Sequence, residues 1–121
     1  MKRALLLAIF VLGFAVYAGA QPVVNPAKVA FVPSADHALV DTYDLGYFAT
    51  GASAPIQQVA IAKSALTPVA SEYQFIFPRL LFGVYTVKLR ACATVNCSDW
   101  AEADKQADVR PFPPTAVRFG Q

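Results

Sequence analysis

The sequence predicts a single all-β domain, either a sandwich or a barrel, behind an export signal. After residue 20, short apolar, β-branched and aromatic stretches alternate with turns rich in Pro, Gly, Ser, Asp and Asn, without a convincing helical pattern. The aromatic content of 12% and the low net charge argue against intrinsic disorder. The chain of 121 residues contains neither a flexible linker nor a second hydrophobic block, which favours one domain.

Residues 1–20 have the order of a secretory signal peptide. Lys2 and Arg3 precede an uncharged apolar run, and Ala18-Gly19-Ala20 places small residues before a cleavage point at Gln21. An uncleaved membrane anchor is the alternative, but the run is slightly short for the roughly 20 residues that span a bilayer. We therefore expect cleavage after Ala20, a secreted or periplasmic protein, and no membrane contact after cleavage.

The charge balance argues against nucleic acid as a partner. Removing Lys2 and Arg3 from the ten basic residues leaves eight, which face eight acidic residues. A surface that binds phosphates needs a clustered surplus of Lys and Arg, and the mature chain has no surplus.

The sequence of the first half of the domain predicts three strands. Lys28–Val32 is a short apolar strand ended by a proline turn. In Thr42–Phe48, alternate residues place Tyr43, Leu45 and Tyr47 on an inner face. Ile56–Ile61 carries two adjacent glutamines and is expected at a sheet edge. The next segment, 62–70, is expected to be a connector because Pro68 limits any helical turn.

The second half predicts three more strands and an extended tail. Glu72–Phe77 presents aromatic rings on one face and ends before a proline. Tyr85–Cys92 alternates most clearly, with Cys92 on the outer face, and Trp100–Val109 is expected to return beside it. The Pro-rich residues 110–114 are expected to be stiff, and Thr115–Phe119 has strand character.

Cys92 and Cys97 are expected to form a disulfide. An even cysteine count in a small exported domain favours a bridge, and two thiols with one histidine are too few ligands for zinc. The C-x4-C spacing also disfavours a thioredoxin-type redox pair. The bridge would close only a short loop, so its contribution to the free energy of unfolding should lie toward the low end of about 2–4 kcal/mol.

Candidate chemistry is sparse, so we expect no enzyme, no cofactor and no metal. His37 could act as a base or ligand beside Asp36 or Asp41, but a polar loop residue is the favoured interpretation. Asp36, Asp41 and Asp44 could form a weak calcium site but lack a D-x-D-x-D-G run. Among the aromatic residues, Trp100 is expected to cover the edge of the sandwich near Arg90, and exposure of Phe48 would be unexpected.

Leu80–Cys92 closely resembles the E–F corner and strand F of fibronectin type III domains, and Val40–Tyr47 resembles their strand C. Ala93–Ala101 is similar to the F–G hairpin of bacterial members, in which two cysteines bridge. The resemblance implies an immunoglobulin-like β-sandwich over residues 21–110, followed by a Pro-rich extension over 111–121. It also implies a tyrosine corner of Leu80, Gly83 and Tyr85, whose hydroxyl binds a backbone group upstream.

Two features depart from that family's pattern. Phe31 stands where the family usually carries Trp, and few residues precede Lys28 to form a strand A. Pro113–Phe119 resembles the opening strand of a following repeat, and one hypothesis is that it fills the missing edge, in its own domain or in a neighbour's. An unfilled edge would invite self-association.

The resemblance implies a non-enzymatic binding or adhesion module for a protein or glycan ligand. By analogy, recognition would use the loops Pro33–Leu39, Ala49–Pro55 and Ala93–Asp99. The candidate residues in these loops are Asp36, His37, Thr50, Ser53, Thr94 and Asn96. The alternative is a structural spacer or assembly subunit of a cell-surface or virion structure, joined through strand edges.

Overall fold

A computed structural model describes residues 21–94 and 96–120, and the predicted signal peptide lies outside this range. The described chain is all-β: it contains ten strands and two short 3₁₀ turns, at His37–Leu39 and Lys63–Ala65. The strands are β1 (Val23–Val24), β2 (Lys28–Phe31), β3 (Thr42–Phe48), β4 (Gln57–Ala62), β5 (Thr67–Val69), β6 (Glu72–Ile76), β7 (Gly83–Ala93), β8 (Asn96–Cys97), β9 (Ala101–Glu102) and β10 (Ala107–Val109). In this part of the chain, no helix is long and apolar enough to cross a membrane.

The strands form two sheets. The larger sheet has the order β1-β10-β7-β3-β4, with β8 and β9 also paired to β7, and the smaller has the order β2-β6-β5. Every pairing is antiparallel except that of β1 with β10. β4 lies at one end of the larger sheet, as its glutamine pair predicts.

The core lies between the sheets and follows the period-2 alternation of the sequence. The larger sheet contributes buried side chains from β3, β7 and β10, and the smaller sheet contributes Phe75. Phe77, just after β6, is also buried. The ring of Tyr47 packs edge-on against Tyr85 at 5.7 Å between centroids and tilted against Phe77 at 5.6 Å. The inward positions expected for Tyr43, Leu45 and Tyr47 are confirmed.

The expectation that 62–70 is only a connector is wrong. After the 3₁₀ turn, Thr67–Val69 forms β5, which pairs with β6 and places Pro68 opposite Tyr73. β5 is the outer strand of the smaller sheet. Proline is tolerated in such a position because its missing N–H is needed by no second neighbour.

The expected strand Trp100–Val109 is confirmed as the partner of β7 but not as one continuous strand. β9 pairs with β7 at Lys88 and Leu89, whereas β10 pairs with β7 at Gly83–Tyr85. Four residues, 103–106, lie between β9 and β10, but only two lie between the matching positions of β7. The N–H of Ala103 still donates to Val87, so the chain bulges out of the ladder after it. Period-2 alternation does not reveal such a bulge.

The C-terminal tail does not form the strand that was expected after Pro114. Residues 111–120 form no strand and are exposed, so the tail does not fill an edge of its own domain. The short strand before Lys28 is β1, which runs parallel to β10 in the larger sheet. Consequently, among the described residues, β2 has a neighbour on one side only, which is β6.

Tyr47 is fully buried, and its hydroxyl donates a hydrogen bond to the carbonyl of Pro78. Burial, with a smaller contribution from Tyr85, raises the pKa of Tyr47 well above its ordinary value of 10. The unfolded chain therefore loses this proton at lower pH than the folded protein does. The stability that the neutral hydroxyl contributes is complete below pH 10 and is lost as the pH rises above it.

We expect Tyr47→Phe to lower the free energy of unfolding by about 1.5 kcal/mol at neutral pH, because the Pro78 carbonyl loses its donor. Above about pH 10 the difference between wild type and variant should shrink, since only the wild type has this proton to lose. Urea unfolding at a series of pH values measures both effects. A difference that stays constant up to about pH 12 would contradict the assignment.

Candidate functional site

The predicted recognition loops lie at opposite ends of the sandwich. Thr42, at the start of β3, pairs with Cys92, and Phe48, at its end, pairs with Thr86. Loops 33–41 and 63–66 and the described residues 93, 94 and 96 of the cysteine hairpin therefore share one end, which we call the His37 end. Loop 49–56, with Thr50 and Ser53, lies at the other, which we call the Thr50 end. The six candidate residues thus form two separate groups rather than one surface.

His37 anchors the first loop onto the core. Its Nδ1 lies 2.7 Å from the hydroxyl of Tyr43, and its ring stacks on Tyr73 at 4.9 Å between centroids, with an interplanar angle of 22°. The Tyr43 hydroxyl also accepts a hydrogen bond from the backbone N–H of Ser34 at 3.3 Å. Burial raises the pKa of Tyr43, partly offset by this Ser34 bond. Tyr43 therefore remains a neutral hydroxyl that fixes the loop.

Two further bonds join the loops of the His37 end. Nζ of Lys63 donates to the carbonyl of His37 at 2.9 Å, which ties the 63–66 connection to the first loop. The carboxylate of Asp41 accepts the backbone N–H of Thr94 at 2.7 Å and faces the Thr94 hydroxyl at 3.4 Å. Thr94 has a φ of +52°, so the carboxylate holds a tight turn in a conformation that a β-branched residue rarely adopts.

At the His37 end, these contacts hold the loops in place and leave a set of side chains exposed. Asp36, Leu39, Thr94 and Asn96 are exposed, whereas His37 is half-buried beneath them. Leu39 is 75% exposed, although it sits in a 3₁₀ turn closed by backbone bonds at both of its ends. The arrangement presents a mixed polar and apolar surface on loops that are held in place.

The structure does not assemble the two chemical sites considered for this region. The ring nitrogen Nδ1 of His37 faces Tyr43, and the carboxylate of Asp41 is engaged by Thr94. Asp44 lies on the outer face of β3 and pairs with Arg90, so the three aspartates do not converge. Within the described residues, the one cluster of three potential metal ligands is Asp44, Cys92 and Cys97, and its two sulfurs are joined to each other.

The disulfide expected between Cys92 and Cys97 is confirmed. The two residues are directly opposite each other where β7 pairs with β8, with their Cα atoms 4.0 Å apart. Although Cys92 points away from the core, it is buried, because Asp44 covers it with a carboxylate oxygen 3.3 Å from its sulfur. The bridge therefore closes the hairpin that carries Thr94 and Asn96.

The outer face of β3 and β7 carries a second aromatic cluster, which sequence reasoning found only in part. Trp100 lies near Arg90, as expected, with the guanidinium carbon 4.3 Å from the ring centroid, but it covers the outer face of β3 and β7 rather than the edge of the sandwich. Arg90 also pairs with Asp44 at 3.2 Å, and Trp100 meets Phe48 edge-on at 5.2 Å. Phe48 is therefore fully buried on the face opposite Tyr47. The missed residue is Gly46, which leaves room for both rings.

The Thr50 end is braced by a glutamine. Nε2 of Gln106 donates to the hydroxyls of Thr50 and Thr86, at 2.9 and 3.2 Å. An open cavity of about 620 Å³ with a mixed polar and apolar lining lies beside these groups, between loop 49–52 and the bulge 103–106. Ser53 lies further out on the same loop and is exposed. This end offers hydroxyl and amide groups, and no charged side chain among the described residues is buried there.

Leu80, Gly83 and Tyr85 form a corner at the start of β7. The Tyr85 hydroxyl donates to the carbonyl of Leu81 at 2.8 Å, and Leu80 packs against the core. Gly83 has a φ of +155°, and a Cβ there would lie 3.3 Å from the Tyr85 hydroxyl oxygen. Glycine at this position therefore lets the chain turn closely around the tyrosine ring. Comparison of the chain with models of protein families, with curated proteins and with solved structures found no match.

Proposed function

We propose that this chain is an exported, non-enzymatic binding module with a fibronectin type III-like sandwich, which recognises a protein or glycan through its His37 end. The observation that carries the proposal is the bracing of three loops at one end. Lys63 and Asp41 tie neighbouring segments together, while Leu39 and Asn96 remain exposed. Loops ordered before binding lose less conformational entropy when a ligand arrives, so the arrangement favours recognition.

Two further observations support the finer parts of the proposal. The Tyr85 hydroxyl bond to Leu81 has the geometry of a tyrosine corner, and Cys92–Cys97 bridges the hairpin where the family's bacterial members carry a bridge. The disulfide also supports export, because such bridges persist in oxidising compartments. The engagement of His37 and Asp41 in loop bracing supports a binding role over acid–base chemistry.

The test is a screen of the protein, purified after expression of the full chain, against arrays of immobilised glycans and extracellular proteins. We expect saturable binding that weakens at least tenfold in the Leu39→Glu/Asn96→Ala variant, as expected when an exposed contact at an interface is lost. Ser53→Glu, an equally exposed change at the opposite end, is the matched control and should bind like wild type. Equal loss in both variants, or no saturable binding, would overturn the proposal.

A second candidate function is that of an assembly subunit. It is favoured by a different observation, the unpartnered edge of β2 in a chain whose tail is fully exposed. The two candidates use different surfaces, so one protein can combine them.

A further inference from the structure

The free edge of β2 offers backbone groups for another strand. The N–H of Phe77 donates to the carbonyl of Ala27, so the backbone groups of residues 27, 29 and 31 face β6. Those of Lys28, Ala30 and Val32 therefore face away from it. Among the described residues no strand pairs with that side. An unpaired edge of this kind is a template for strand addition.

The same edge opens a groove into the core. One cavity of about 160 Å³ is lined by Val29, Phe77 and Val87, among others. A second, of about 220 Å³, is lined by Phe31, Tyr43 and Leu89, among others. Val29 and Phe31 are alternate residues on the inner face of β2, so the two cavities follow one another at the spacing of alternate residues in a strand.

The C-terminal tail has the pattern that this groove requires. In an extended Thr115–Phe119, Thr115, Val117 and Phe119 would share one face, with Ala116 and Arg118 on the other. In the structure Val117 and Phe119 are among the most exposed hydrophobic side chains, and Ala116 has a left-handed φ of +54°. The tail therefore has the alternating apolar pattern of a strand but is not in a strand conformation, and its apolar side chains are not covered in its own domain.

The direction of the chain points the tail away from its own groove. β10 ends at the Thr50 end, where the Arg110 N–H donates to Oδ1 of Asn25 at 2.9 Å. The Arg79 guanidinium then lies 4.0 Å from the centroid of the Phe112 ring, which holds the start of the tail against the connection between β6 and β7. Prolines at 111, 113 and 114 stiffen the next residues, so a reversal toward β2 of the same copy is disfavoured.

We propose that Thr115–Phe119 of one copy adds as a strand to the free edge of β2 in a second copy, with Val117 and Phe119 entering the groove. Five residues of extended chain span about 17 Å, which matches the length of Lys28–Val32. Donor and acceptor surfaces are different, so each copy uses one of each and the contact propagates from head to tail. This inference does not depend on ligand binding at the His37 end.

Two variants with opposite defects test the proposal, using the protein purified after expression of the full chain. Val117→Asp/Phe119→Asp removes the donor face, whereas Ala30→Pro removes an outward N–H of the acceptor edge without touching the bonds to β6. The matched controls are Arg118→Asp, on the outward face of the donor, and Ala30→Val, which keeps the N–H. Light scattering after size-exclusion chromatography should show concentration-dependent association for wild type and both controls, weakened at least tenfold in each test variant.

Mixing the two test variants shows which surface each copy contributes to the contact. Each test variant keeps one intact surface, so an equimolar mixture should form a 1:1 heterodimer that does not extend further. A synthetic peptide of residues 111–120 should also bind the Val117→Asp/Phe119→Asp protein saturably, which keeps the test valid if Ala30→Pro does not fold.

Three results would overturn the inference. Wild-type protein that stays monomeric at all concentrations would show that the tail does not join copies. If the wild type stays monomeric and the peptide binds only to the Val117→Asp/Phe119→Asp protein, the tail of the wild type fills the groove of its own copy. Association that survives both variants would assign it to another surface.

Discussion

Leu45→Ala is expected to lower the free energy of unfolding by about 2–5 kcal/mol. Leu45 is completely buried in the middle of β3, where it lies between Val59 of β4 and Leu89 of β7. Truncation removes apolar contacts and leaves a cavity in a sheet whose strands are paired on both sides, so the surroundings can collapse only partly. Urea denaturation monitored by tyrosine fluorescence measures the change.

Ile76→Ala is the matched control for that prediction. Ile76 is also a strand residue with a branched aliphatic side chain, but it is 77% exposed on the outer face of β6. The control should change the free energy of unfolding by about 0.5 kcal/mol or less. Similar losses in the two variants would contradict the division into an inner and an outer face.

Gly46→Val is expected to destabilise the protein by about 3 kcal/mol, although valine normally favours strands. A Cβ at this position would lie 2.7 Å from the Phe48 ring and 3.0 Å from the Trp100 ring. Both rings also contact a cationic side chain, since Lys88 lies over Phe48 and Arg90 over Trp100. The side chain therefore has to displace a packed layer. Thermal unfolding followed by near-ultraviolet circular dichroism measures the loss.

Two comparisons make that result specific. Ala60→Val, at an exposed position of β4 directly opposite Asp44, should be close to neutral. The double variant Gly46→Val/Trp100→Ala should lose less free energy of unfolding than the sum of the losses in the two single variants, because removing the Trp100 ring opens the space that the valine side chain of Gly46→Val needs. Additive losses would show that Gly46 acts through its backbone rather than through the rings.

The strands that the sequence predicted best are those with clear period-2 alternation. In Thr42–Phe48 and Tyr85–Cys92 the structure confirms the inward positions. The outer face is not wet throughout, because Phe48 and Cys92 are buried on it. The connector expected at residues 62–70 contains β5 instead: Pro68 was weighed only against a helical turn, whereas proline is tolerated in an outer edge strand. No local pattern predicted the role of Gly46, because that role is to leave room for Trp100, which lies 54 positions further along the chain.

The candidate site was predictable as loops but not as a surface. Loop positions follow from the strand pattern, whereas the end at which each loop lies depends on the order in which strands pair. Thr50 and Thr94 were therefore grouped although β3 separates them. The role of His37 was similarly out of reach, because its partners Tyr43 and Tyr73 come together only when the two sheets pack.

The parallel pairing of β1 with β10 has a mechanical consequence. The hydrogen bonds that join these segments include those from Val23 N–H to Gln106, from Asn25 N–H to Asp108, and from Arg110 N–H to the Asn25 side chain. Because the two strands run in the same direction, tension that pulls their outer termini apart shears these bonds together instead of unzipping them in turn. The closure between the two ends of the described chain is thus oriented to resist a stretching force.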